Sequence, residues 1–213
     1  MNARLLLACG IASSLLYAAV NVVAPLRYPG YDLPSQAVSE LSAIGAPTRP
    51  LMIATGILYN LFVLAFAWGV WRASPTNRPL RVVGALLAAF AILGFAAPFT
   101  AMQQRGEPFA LTDAMHIAAT VLTVLLMLLA IGFGAAALGP RFRDYSIATL
   151  LVHLVFGAWA GAEGPRLAAG LPTPWIGVTE RINIGVFLLW VVVLATVLLR
   201  APRGPAAADL AQV

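Results

Sequence analysis

Six apolar runs, roughly 5–24, 50–71, 80–101, 113–138, 145–162 and 180–200, divide the chain, and polar residues collect between them and at their ends. About 20 apolar residues cross a ~30 Å hydrocarbon core as a helix, and each run is that long or nearly so. The pattern predicts an all-α, polytopic membrane protein with six transmembrane helices in one bundle over residues 1–200. The first gap, 25–49, is the longest and has a pattern of its own. Leu33, Ala37, Val38, Leu41 and Ile44 recur at helical spacing, while Gln36, Ser39 and Glu40 fall on other faces. Asp32 is a good N-cap, Pro34 suits a first turn, and Gly45 followed by Pro47 supplies a stop. These signals predict a short amphipathic helix over 33–44, on the outer membrane surface or tucked into the mouth of the bundle. Pro98, near the outer end of the third run, is expected to kink that helix and widen the mouth.

Composition agrees with a lipid solvent. Hydrophobic residues make up 61% of the 213 and charged residues 10%, with a mean hydropathy of +0.89. Soluble domains average about a quarter charged, so this pool builds no water-facing surface and leaves no room for a second globular domain. The lone Cys9 excludes an internal disulfide and a multi-cysteine metal site. It also lies too close to the terminus for a lipoprotein cleavage box, and the first run is too long for an ordinary signal sequence. A retained first helix is expected. The tail 201–213, rich in Pro, Gly and Ala, is read as disordered and cytoplasmic.

All 13 basic residues are arginine, and the net charge is +5. They lie in short connections with no interleaved aromatics, which excludes nucleic acid as a partner. Arg4, Arg72, Arg78, Arg81, Arg141, Arg143, Arg200 and Arg203 share one side; Arg27, Arg49, Arg105, Arg166 and Arg181 share the other. The positive-inside rule then places both termini in the cytoplasm, with a bacterial plasma membrane as the expected setting. Six of the eight acids (Asp32, Glu40, Glu107, Asp113, Glu163 and Glu180) fall on the outer side. Acids contribute little to insertion, so the outer face is expected to carry the polar chemistry. Trp68, Trp71, Trp159 and Trp175 are placed for interfacial belts.

Four stretches carry a family likeness: Arg27-Tyr28-Pro29-Gly30-Tyr31-Asp32, then Ser35 through Pro47 with its Ser-Glu-Leu…Gly-Ala-Pro core, then His153, then Glu180-Arg181-Ile182-Asn183 leading to Leu189-Trp190. Together they resemble the bacterial and archaeal domain-of-unknown-function family numbered 998. The first-loop segment is also similar to that of the damage-regulated autophagy modulator proteins. The resemblance implies a six-helix membrane protein and brings no activity with it.

Ionisable groups inside a span cost roughly 2.5–3.5 kcal/mol at mid-membrane, which makes them candidates for function. Asn60, His116, His153, Glu180, Arg181 and Asn183 fall within the runs, with Asp113 at the start of the fourth. Most lie in the outer half, so a polar pocket opening outward is expected, lined by Glu40, Arg105, Asn60, His153, Glu163, Arg166, Glu180, Arg181 and Asn183. Arg181 is expected to pair with Glu40 or Asp32. The leading expectation is a non-enzymatic protein that binds a membrane lipid or other amphiphile there, with Arg105, Arg166 and Arg181 on an anionic head. The alternative is an interfacial hydrolase with Ser39 as nucleophile, His116 as base and Asp113 orienting it, or a metal site drawn from His116, His153, Asp113 and Glu163. A bis-histidine haem is disfavoured by the ~8 Å depth offset of His116 and His153. The Gly157–Gly161 spacing is read first as packing within the bundle and second as a dimer contact.

Overall fold

The computed structural model describes residues 2–201; the expected tail over 201–213 lies, apart from Ala201, outside them. Six helices form: α1 (Ala3–Leu26), α2 (Arg49–Arg72), α3 (Arg78–Gly94), α4 (Leu111–Ala137), α5 (Pro140–Ala168) and α6 (Ile176–Arg200). With the short 3-10 turn Ala97–Phe99 that extends α3, all six are long and apolar enough to span a membrane. Local signals set the starts. Asn2 caps α1 by accepting from Arg4 N–H, and Asn77 caps α3 by accepting from Leu80 N–H. Pro50, Pro79 and Pro140 occupy first-turn positions where no amide donor is lost. At the end of α5, Gly170 takes a φ of 68° and lets Leu171 N–H reach back to the Arg166 carbonyl.

Each helix packs on its sequence neighbours, and α1 closes the ring against α6. The central core holds Phe66, Leu87, Ile131, Phe187, Trp190 and Leu194, all fully buried. Trp190 satisfies its indole N–H on Ser146 Oγ at 3.0 Å. Outward-facing positions such as Leu15, Val121, Leu151, Val155 and Leu189 are exposed leucines and valines, the surface a bilayer solvates. Gly84 brings α3 against the α2 backbone at Ala67 and Trp71, as small residues do in membrane bundles.

The core is not uniform along the bundle axis. All four buried residues of α4 lie between Met127 and Gly134, and none precedes them. Buried residues of α5 likewise stop at His153 and resume only at Glu163. The half of the bundle away from the α1 start is therefore open between helices, and the connection from α1 to α2 fills it. This connection, residues 27–48, is here called the strap. Its Val38 and Leu41 pack on Val20 and Ala24 of α1, and its Ala43 and Ala46 pack on Met102. The expected amphipathic helix is thus tucked into the mouth, and it is shorter than the predicted 33–44: a 3-10 helix over Val38–Ser42. The α-helix α3 also stops early, at Gly94, before Pro98 takes its place in the 3-10 turn.

Candidate functional site

Four arginines reach into the strap end and read its backbone. Arg181 donates through Nη1 to the carbonyls of Leu33 (3.0 Å), Gln36 (3.4 Å) and Gly177 (3.0 Å), and through Nη2 to the Tyr31 hydroxyl at 2.8 Å. Arg49 donates to the carbonyls of Ser42 and Pro98. Arg166 donates to the Pro172 carbonyl. Arg105 does most. Its Nε and Nη2 grip the two oxygens of Glu40 at 3.1 and 3.0 Å, its Nη2 also reaches Ser35 O, and its Nη1 reaches Leu171 O and Thr173 Oγ1. A guanidinium has five N–H donors, and Arg105 makes five hydrogen bonds, one from Nε and two from each Nη.

The acids complete the same framework. Glu40 is only 3% exposed; besides Arg105 its carboxylate accepts from Ala37 N–H at 2.7 Å. Glu180, from α6, accepts from Val38 N–H at 2.6 Å. Buried backbone donors require such partners, and here carboxylates replace the helical carbonyls that a 33–44 α-helix would have supplied. Thr48 and Thr173 hold the Leu41 and Ser35 carbonyls, and Ile44 N–H donates to Met102 O. The Tyr31 hydroxyl sits 2.9 Å from both the Gln36 and Ala37 carbonyls.

Burial pushes the Tyr31 phenol up to about 12, against the pull of Arg181. A raised folded-state value means that the neutral phenol is the form the fold prefers. Its contribution is whole below the ordinary tyrosine value of 10.0 and is lost as pH climbs toward about 12. Thermal stability should therefore fall between those pH values in the native chain, and Tyr31→Phe should flatten that alkaline arm. An identical alkaline decline in Tyr31→Phe would assign it to other groups.

The remaining predicted residues separate into other places. Asp113 caps α4: Oδ1 accepts from Gln103 N–H and Oδ2 from Ala110 N–H. His116 donates through Nδ1 to the Thr100 carbonyl at 3.0 Å. No hydrogen bond joins Ser39, His116 and Asp113 among the described residues, because backbone groups already hold Asp113 and His116. His153 and Asn183 exchange bonds between α5 and α6, with His153 Nδ1 on Asn183 O and Asn183 Nδ2 on His153 O. A carbonyl only accepts, so the His153 proton is on Nδ1; its buried Nε2 has no partner among the described residues. Asn60 lies against Gly94, where a Cβ would collide with its amide. Glu163 is buried, and its Oε2 has no hydrogen-bond partner among the described residues. Among the described residues no three His, Cys, Asp or Glu side chains come together as a metal-binding group. The set His116, His153, Asp113 and Glu163 is therefore dispersed rather than assembled. Gly157 faces Asn183 of α6, so this half of the Gly157–Gly161 pair serves packing within the chain; Gly161 faces open space.

Three sequence expectations are corrected here. Arg181 pairs with neither Glu40 nor Asp32 but with carbonyls and a phenol, while Glu40 pairs with Arg105. Arg105, Arg166 and Arg181 present no open row of guanidinium groups: the Nη groups of Arg105 and Arg181 bond within the protein, and only exposed Arg166, held through Nε alone, keeps its Nη groups open. The outward polar mouth is roofed by the strap and survives as two recesses on its surface. One, of about 160 Å³, is lined by Tyr28, Gln36, Glu40, Ala43, Gln104 and Arg105. The other, of about 480 Å³, shares Gln36 and Arg105 and adds Gly30, Ser35 and the Pro172–Pro174 edge. The tyrosines, glutamines and threonines of this site escaped the sequence reading, which ranked ionisable residues first.

Six spanning helices around one core, closed at one end by a strap tied with arginines, define a multi-pass helical membrane protein. A family model described as a protein of unknown function (DUF998) matches residues 11–197, and the chain belongs to that family. No curated protein and no solved structure matches it.

Proposed function

We propose that this chain is a non-enzymatic protein of a bacterial plasma membrane, with both termini cytoplasmic, that receives the polar head of an amphiphile at the strap end. The observation that carries this reading is the pair of recesses meeting at Arg105 and Gln36. The larger has a volume within the ~300–1,000 Å³ of small-ligand pockets, with a proline-rich wall on one side and polar groups on the other. It suits a headgroup with its acyl chains left in the bilayer.

The charge state of the recess selects the head. Arg105 is neutralised by Glu40 and has no free N–H, so an added anion meets a carboxylate and no open guanidinium donor. A zwitterionic or uncharged head fits instead, through groups such as the Tyr28 hydroxyl. Arg181 and Arg166 then shape the recess without touching its occupant. The asymmetry of arginine between the two ends supports the orientation.

Native mass spectrometry of the protein released from bilayers of equal phosphatidylethanolamine and phosphatidylglycerol tests this. One hydrogen bond contributes about 1 kcal/mol, so Tyr28→Phe should lower phosphatidylethanolamine retention about fivefold and leave phosphatidylglycerol alone. Equal phosphatidylethanolamine retention by the native chain and Tyr28→Phe would reject the recess as the site.

A further inference from the structure

The arginines at the opposite end of the bundle are used differently. Arg4, Arg72, Arg78, Arg141, Arg143 and Arg200 are exposed there, and Arg81 is half-buried with its guanidinium 4.4 Å from the Trp71 ring centroid. Among the described residues only Arg143 has an acidic partner, the neighbouring Asp144 at 3.5 Å, and both of those side chains are mostly exposed. At the strap end, by contrast, Arg49, Arg105, Arg166 and Arg181 all donate to protein acceptors.

Position on the helices sharpens the contrast. Arg78 and Arg81 lie in the first turn of α3, and Arg141 and Arg143 in the first turn of α5; neither turn contains an acid. The N-terminus of a helix carries partial positive charge, and cations there are disfavoured. The α5 start also has no side-chain cap, so its first amides have no side-chain acceptor. The two turns adjoin. Asn77, immediately before Arg78, donates through Nδ2 to the carbonyl of Ala137 at 2.7 Å, and Ala137 ends α4 just before Pro140. Two cationic first turns are thus held side by side against their own helix electrostatics.

An anion resolves that conflict. We propose that the junction of the α2–α3 and α4–α5 connections binds the phosphate of an anionic phospholipid, with Arg78, Arg81 and Arg141 as its ligands. Guanidinium groups bond phosphate oxygens bidentately, and the α5 start adds the Arg141 amide and a favourable dipole, the Phe142 and Arg143 amides already donating to the Gly139 carbonyl. A lipid is favoured over free phosphate or an acidic protein segment by what surrounds the junction. Trp68 and Trp71 are exposed beside it, as at a headgroup boundary. Ile147 and Leu151 of α5, with Phe133 and Leu129 of α4, continue from it as exposed apolar side chains along which acyl chains can lie. This site is separate from the Arg105 recess and prefers an anionic headgroup rather than a zwitterionic or uncharged one.

The test uses the full chain in bilayers of phosphatidylglycerol and phosphatidylethanolamine, followed by native mass spectrometry. The native chain should retain phosphatidylglycerol, and Arg78→Gln with Arg141→Gln should lower that retention about tenfold while leaving phosphatidylethanolamine retention unchanged. Both side chains are exposed, so the fold should persist, which an unchanged melting temperature verifies. Arg4→Gln with Arg200→Gln, of equal charge change but outside the junction, should leave retention intact. Unchanged phosphatidylglycerol retention in the Arg78→Gln, Arg141→Gln variant would overturn the proposal, as would an equal loss in the Arg4→Gln, Arg200→Gln variant. Displacement of the lipid by millimolar inorganic phosphate would overturn the choice of a lipid.

Discussion

Replacing Glu40 with alanine is expected to destabilise the protein by about 3 kcal/mol, at the lower edge of the range for breaking a buried ion pair. The carboxylate is 3% exposed and accepts from Arg105 twice and from Ala37 N–H once. Its removal strands a guanidinium that three further acceptor contacts cannot release to water, because Ser35 O, Leu171 O, Thr173 Oγ1 and the strap around them hold it in place. Part of the Arg105 side chain reaches solvent, which keeps the cost from the top of the range. Glu40→Gln should cost less, since its amide oxygen still accepts from Ala37. Thermal unfolding in detergent, with limited proteolysis of residues 27–48, reads both effects. Native-like melting of Glu40→Ala would show that the clasp does not hold the strap.

Gly177→Ala should have an effect of similar size by a different route. Gly177 begins α6 beneath the strap, donating its N–H to Pro34 O, and a Cβ there would collide with the carbonyl oxygens of Leu33 and Gln36. Both obstacles are backbone, and both are acceptors of Arg181. Overpacking of this kind costs about 1–3 kcal/mol, and the upper end is expected because relief requires moving the strap off Arg181. Gly185 on the same helix faces open space, so Gly185→Ala should instead add a few tenths to about 1 kcal/mol through helix propensity. If the two alanine variants melt alike, the strap is not seated on Gly177.

These two residues mark what the sequence does and does not disclose. The six spans are legible because lipid demands a long apolar run for each, and that demand is local. The strap was legible as a patterned segment, and its apolar face does bury Val38 and Leu41. Its helix was over-read. The amides of Ala37 and Val38 are held by the Glu40 and Glu180 carboxylates, and the carbonyls of Leu33, Ser35 and Gln36 by Arg181, Arg105 and Thr173. Periodicity cannot register bonds that replace a helix with side chains from elsewhere in the chain. The same reason explains the Arg181 assignment: pairing charges by type sends Arg181 to Glu40 or Asp32, whereas its acceptors are main-chain oxygens and a phenol and Glu40 belongs to Arg105. The expected relay of Ser39, His116 and Asp113 rested on spacing within one helix and a loop, and the α4 cap holds Asp113 on backbone instead.

Hydrogen exchange of the protein in bilayer discs tests the latched strap most directly. The amides of Ala37, Val38 and Ile44 lie in a connection yet each has a buried or fixed acceptor, in Glu40, Glu180 and Met102 O respectively. They should exchange on the slow timescale of the spanning helices, and Arg105→Ala should bring Ala37 and Val38 to loop rates while leaving α2 unchanged. Rapid, loop-like exchange of these three amides in the native chain would contradict a strap fastened into the mouth of the bundle.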